Sequence, residues 1–164
     1  VSVYKRQVLA NDRVVILEDT RELKCAAHNA VSLRTHRGRI GLTDLVRSTM
    51  RLRPDRIIVG EVRGAEALDL LKAWNTGHPG GITTLHANSA RAALERLEQL
   101  TMEAATTAPH ALIAEAIDVV VFMSRAGGQR RIEEALRVTG FEGGYLTEPL
   151  ISRSLSLVTQ GDSL

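Results

Sequence analysis

One cysteine, one tryptophan, two tyrosines and two phenylalanines are spread through 164 residues. A lone Cys25 leaves no partner for an internal disulfide and no set of thiolates for a cysteine-based zinc site, which fits a reducing cytoplasm. No apolar run approaches the roughly 20 residues of a transmembrane helix, and the start has no signal-peptide apolar core. Any membrane association is therefore expected to be peripheral. Charge of neither sign dominates, since Lys and Arg number 21 against 19 Asp and Glu, net +2. The basic residues form no block, so nothing calls for direct nucleic-acid binding. No two histidines stand at the i, i+4 spacing of a helical metal pair, which argues against zinc. One further absence bears on chemistry: the sequence contains no Gly-x-x-x-x-Gly-Lys-Ser/Thr loop, the usual grip on nucleotide phosphates.

With 44% apolar residues, the chain can build one domain with a core. Val14 to Leu17, Arg56 to Gly60 and Ile82 to Leu85 read as strands buried on both faces. Val31 to Thr35 alternates like a half-exposed strand, and Gly38 to Gly41 marks a turn. Thr43-Asp44 is expected to cap a helix through Leu45, Val46, Thr49, Met50 and Leu52, with Arg47 and Arg51 on another face and Pro54 as its stop. Residues 65 to 75 repeat apolar positions at helical spacing, and Gly77 closes that helix. Ser89 opens another through Leu94, Leu97 and Leu100, and Pro109 begins one running toward Ile117. A buried strand over Asp118 to Met123, a Gly127-Gly128 turn, a strand over Ile132 to Val138 and a last one over Tyr145 to Ile151 follow. The fold class expected is α/β, with a largely parallel sheet finished by antiparallel strands.

In open parallel sheets, ligands bind beyond the carboxyl ends of the strands. Glu18 and Asp19 follow the first strand, Glu61 and Arg63 the second, and Thr84 and His86 share a face at the end of the third. Hydrolysis of a nucleoside triphosphate requires a magnesium ion, a group that orients water and positive charge against the phosphates. Glu61 is placed to hold magnesium, and Glu18 to orient or deprotonate water. His86, beside Thr83 and Thr84, is placed to sense the terminal phosphate, and His78 lies in a Pro-Gly-Gly turn where backbone can approach a ligand. Arg47 and Arg51 form either a solvated basic face or a phosphate contact at a subunit boundary. His28, His36 and His110 read as ordinary surface residues.

Three segments together resemble the secretion and conjugation ATPases with a RecA-like core, above all the TrbB-type conjugal transfer ATPases of type IV secretion systems. Arg13 to Leu23 resembles the family's Asp box, Leu52 to Gly64 its Walker B, and Gly77-His78 with Thr83 to Ala87 its His box. The resemblance implies a partial RecA-like P-loop NTPase core, ATP and Mg2+ as cofactors, and a homo-oligomeric, usually hexameric ring. It also implies a cytoplasmic location, peripheral at the inner membrane beside secretion-channel proteins. It assigns Glu18 and Glu61 as water-activating and Walker B carboxylates, in roles that could be exchanged, with Glu61 tied to the metal. Asp19, Arg63, His78, Thr84 and His86 fall on positions that complete the site, and Arg47 and Arg51 match arginines before the Walker B.

Family members carry a sensor domain and a P-loop upstream of the Asp box, whereas these residues begin about a dozen positions before it. The expectation is a C-terminal catalytic-domain part over residues 8–151, inactive alone, with a frayed tail over 152–164. Val3 to Gln7 reads like a translated transposase-derived adapter, so residues 1–7 are expected to be a non-native leader. An alternative is a non-hydrolysing interaction module that docks on full-length subunits. A small independent hydrolase using Glu18, Glu61 and His86 is a third reading. Without the strand that precedes a P-loop, an unpaired sheet edge and self-association are expected.

Overall fold

Val14, Val15, Ile16 and Leu17 are apolar on both faces of their strand, so they need cover above and below, and β1 (Arg13–Glu18) lies at the centre of a sheet. The computed structural model describes residues 11–126 and 128–151. The expected leader, the tail and Gly127 of the expected turn lie outside them. Parallel strands flank β1: β2 (Asn29–Arg34) on one side and β3 (Arg56–Val59) on the other. β2 alternates half-buried Val31 and Leu33 with exposed neighbours, as an edge strand does.

Ile82 to Leu85 does not form the expected third buried strand. It touches β3 through one parallel bridge, Ile58 to Ile82, with Val59 N donating to Ile82 O at 3.0 Å and Val62 N to Thr84 O at 2.9 Å. The Trp74 indole N–H donates to Ile57 O at 3.1 Å, the carbonyl that faces the Ile82 amide in this register. The same carbonyl thus faces a side-chain donor as well as the bridging segment.

The helices bring their apolar stripes to one side. α1 (Leu42–Thr49) starts two residues earlier than expected: Gly41 is the N-cap, and Asp44 reaches back to accept its N–H at 2.9 Å. It buries Leu45, Val46 and Thr49, then tightens into a 3-10 turn over Met50–Leu52 before Pro54. α2 (Glu66–Asn75) buries Leu70, Leu71 and Trp74. α3 (Ala90–Thr101) is capped by Ser89, whose Oγ accepts from Ala92 N, and α4 (His110–Ala116) follows Pro109. One apolar cluster joins these helices to β1, β3 and the second sheet. A smaller cluster, Val14, Ile16 and Ile58, is covered on the opposite side by Leu23, the half-buried Cys25 and Ala27.

The second sheet is antiparallel, in the order β4 (Val119–Ala126), β5 (Gln129–Phe141), β6 (Tyr145–Ile151). β4 was expected to be buried, but Val119, Val121 and Met123 are about half exposed. Helices cover only the other face, where Val120 packs on the core. Among the described residues no helix is long and apolar enough to cross a membrane.

Candidate active site

The carboxyl ends of β1 and β3 are neighbours, because Leu17 pairs with Val59 and Gly60 N donates to Leu17 O at 2.8 Å. That pairing brings Glu18 and Glu61 to one rim. Glu18 is 3% exposed. Its Oε1 accepts the N–H groups of Glu22 at 2.9 Å and Leu23 at 2.7 Å, while Oε2 is buried without a hydrogen-bond partner. A buried carboxylate oxygen with no donor is costly unless a ligand or water completes it. Asp19 turns the other way, as strand alternation requires, and accepts Thr35 Oγ1–H at 2.9 Å.

Glu61 sits between two basic groups. Arg63 Nη2 donates to its Oε2 at 2.5 Å, and His86 Nε2 lies 3.0 Å from Oε1. That second contact does not have hydrogen-bond direction, so Oε1 is close to a basic ring yet has no donor aligned on it. The Arg63 hydrogen bond holds the Glu61 carboxyl below its ordinary value; burial opposes this, and the charges of Arg63 and His86 reinforce it. Reciprocally, the hydrogen bond and charge of Glu61 raise Arg63.

Thr84 fixes the backbone on both sides of Glu61. Its Oγ1 donates to Gly60 O at 2.7 Å and its carbonyl accepts from Val62 N at 2.9 Å. Glu66, buried at the start of α2, accepts the N–H groups of Arg63 and Gly64 and so sets the turn that carries Arg63.

Glu18, Glu61, Arg63, Thr84 and His86 therefore converge, with Asp19 beside them. His78, Arg47 and Arg51 do not. His78 Nδ1 lies 2.7 Å from Pro54 O, at the opposite end of β3. The glycines after it lie against the protein's own side chains: a Cβ at Gly80 would overlap the Arg56 guanidinium, and one at Gly81 the Trp74 indole. Arg47 pairs with Asp69 on α2 at 2.9 Å, and Arg51 is exposed in the 3-10 turn before β3. His28 and His36 are exposed as expected, but His110 is not an ordinary surface residue. It stacks on Phe141 at 4.4 Å, with Nδ1 2.9 Å from Glu98 Oε1. An open cleft beside Asp19 and Arg63 is also lined by Arg37 and Arg39, for which two arginines flanking a turn glycine were the available signal.

Among the described residues no group of three or more His, Cys, Asp or Glu side chains could hold a metal. Two carboxylates with spare oxygens instead suit a hard cation that draws its remaining ligands from phosphates and water.

A family model described as "Type II/IV secretion system protein" matches residues 2–133. The "Conjugal transfer protein TrbB" of Rhizobium radiobacter is 56% identical over 139 residues, covering 84% of this chain and 43% of that protein. The "Type IV secretion system protein PtlH" of Bordetella pertussis is 38% identical over 136 residues, covering 75% of this chain and 40% of its own length. Among solved structures, the VirB11 ATPase from the Brucella suis type IV secretion system, in complex with sulphate, superposes with a TM-score of 0.69 at 29% identity, over 79% of this chain and 41% of that one. The chain thus spans less than half the length of these relatives.

Proposed function

The chain belongs to the type II/IV secretion system protein family and has the RecA-like α/β fold of its solved relatives, and from this we propose that it supplies the water-orienting and metal-holding carboxylates of a conjugation ATPase. The observation that carries the reading is the buried, donor-free Glu18 Oε2 at the same rim as Glu61.

The two glutamates, interchangeable by sequence, differ in what their oxygens are doing. Glu18 has one oxygen fixed by two amides and the other free, the arrangement wanted of a group that accepts a hydrogen bond from attacking water. Glu61 is kept ionised by Arg63 and His86, and a lasting negative charge is what a cation requires. Glu61 would hold Mg2+, whose contribution when bound is to neutralise charge on the phosphates. In the proposed reaction, water attacks the terminal phosphorus, the bond to the bridging oxygen breaks, and the water proton passes toward Glu18 Oε2. Arg63 and His86 face the developing negative charge, while Thr84 acts by positioning Glu61.

Because the phosphate-gripping loop is not among these residues, the chain alone is expected to bind ATP weakly and to hydrolyse it at background rate. In the longer assembly we place it in a hexameric ring, cytoplasmic and peripheral at the inner membrane, driving pilus assembly or substrate transfer. The test is ATP turnover by this chain joined to the P-loop-bearing half of a relative. Turnover should appear and fall by two or more orders of magnitude in Glu18→Gln and in Glu61→Gln. Turnover that persists in both variants would refute the assignment.

The exposed apolar face of β4 and β5 favours a second reading, in which the chain docks on full-length subunits without hydrolysing ATP. Native mass spectrometry of mixtures with a full-length relative distinguishes it, since mixed rings are expected only on that reading.

A further inference from the structure

Beyond the Glu18–Glu61 rim, the open cleft beside it has a volume of about 1120 Å³, large enough for a small ligand. One wall is the loop between β2 and α1. It is closed on itself by His36 N donating to Ile40 O at 3.0 Å and Ile40 N to His36 O at 2.9 Å, with Gly38 at φ 74 supplying the left-handed turn. Thr35 ties the loop to the end of β1 through its N–H on Glu18 O and its hydroxyl on Asp19. Arg37 and Arg39 are therefore exposed cations on a braced turn rather than on a free loop. Arg63 lines the facing wall.

The cleft also contains two carboxylates, Asp19 and Glu66, and each already accepts donors from the protein. Asp19 takes the Thr35 hydroxyl, and Glu66 the amides of Arg63 and Gly64. Among the described residues Arg37 and Arg39 pair with no carboxylate. Unpaired guanidinium groups facing a shared cleft suit a ligand with several oxyanion groups, because each planar fork can grip one phosphate through two parallel hydrogen bonds.

We propose that Arg37 and Arg39, with Arg63 opposite, form a binding site for a polyphosphate, separate from the Glu18–Glu61 rim and joined to it through Arg63. Asp19 forms the boundary between the two: it lines the cleft, whereas Glu18, the adjacent residue, points to the rim.

The probe is inorganic tripolyphosphate, titrated at low ionic strength into the chain as it stands and followed by calorimetry and by amide chemical shifts. The site needs neither nucleotide nor turnover, so its failure and the failure of the ATPase assignment can be told apart. The double variant R37A/R39A should weaken binding by about tenfold or more, since two charge-assisted contacts are lost. R125A/R130A removes the same charge from the β4–β5 hairpin and should leave affinity within about twofold; circular dichroism melts verify that both variants fold. Amide shifts should move at residues 35–41 and 63–64. Equal weakening in the two double variants would mean diffuse attraction and overturn the site. Shifts centred on residues 60–61 and 83–86, or no binding at millimolar probe, would overturn it as well.

Discussion

Gly81→Ala adds one methyl group, yet it should be among the more damaging single changes in this chain. A Cβ at position 81 would overlap Trp74 Nε1 and Cε2 and stand 2.7 Å from Ile57 O. The strand carbonyl cannot retreat without disturbing β3, so the indole must move. Moving it breaks the Nε1–H to Ile57 O hydrogen bond and strands a buried acceptor, at about 1–3 kcal/mol. Displacing a large buried ring adds an overpacking term of about 1–3 kcal/mol. The sum, roughly 2–6 kcal/mol, is a large fraction of the roughly 5–15 kcal/mol typical of a domain. It corresponds to a fall of about 4–24 °C in Tm for a chain of this size. Trp74 is the sole tryptophan, so its fluorescence reports both the local change and global unfolding. Denaturant melts should show a lower midpoint and a red-shifted native emission. In a double-mutant cycle with Trp74→Phe, followed by circular dichroism, the alanine should cost measurably less, because the displaced hydrogen bond is already gone. A Gly81→Ala protein within about 0.5 kcal/mol of the parent, with unchanged emission, would refute the packing account and return the glycines to a ligand role.

Removing Arg63 takes away the largest influence that lowers Glu61, so in Arg63→Ala the Glu61 carboxyl should titrate closer to its ordinary 4.5, as carboxyl 13C NMR would show. A depressed folded value contributes stability above about pH 4.5 that is lost as pH falls through the folded value, so the variant should lose less on acidification. Burial, then the neighbouring Glu98, pushes the Tyr145 phenol far up, so its phenolate absorbance should be missing from an alkaline titration until the chain unfolds. The neutral phenol also stabilises the fold fully below about pH 10, a contribution that declines as pH rises toward its folded value. Thr84→Val keeps shape but deletes the hydroxyl on Gly60 O, and should cost about 1 kcal/mol in denaturant melts. The exposed Val119, Val121, Met123 and Ile132 should promote self-association that grows with salt as the arginines Arg125 and Arg130 on that face are screened. Sedimentation should show it suppressed in Val121→Lys.

β1 and β3 were legible because a parallel strand buried on both faces needs continuous β-branched and aliphatic residues. The placement of Glu18 and Glu61 at one rim followed from a rule about strand ends, whereas His86 reaches Glu61 from a segment that meets β3 through a single bridge. What failed depended on side chains reaching across the fold. Nothing local to Ile82 to Leu85 announces that the segment meets β3 through a single bridge, with Trp74 of the preceding helix donating to the Ile57 carbonyl beside it. For the same reason the sequence does not show that Arg56 and Trp74 lie where a Cβ at Gly80 or Gly81 would be. His110 looked like a surface residue because its stacking partner, Phe141, lies on β5, and no spacing rule links the two. β4 read as buried from composition, but composition does not say that only one face of its sheet has helices on it.

The segment after β1 ties core packing to the candidate chemistry. The helical apolar cluster lies on one side of the parallel sheet, so Val14, Ile16 and Ile58 on the other side depend on Leu23, Cys25 and Ala27 for cover. That same segment supplies the Glu22 and Leu23 amides that hold Glu18 Oε1. Leu23 therefore has two functions in one residue: its side chain closes the core and its amide aims the carboxylate. The free Oε2 of Glu18 is directed by apolar packing beneath it, because a shift of Leu23 off Ile16 and Ile58 would carry its amide away from Oε1. A polar site whose orientation is set by a hydrophobic contact should be sensitive to volume changes at Leu23 even though that side chain touches no reacting atom.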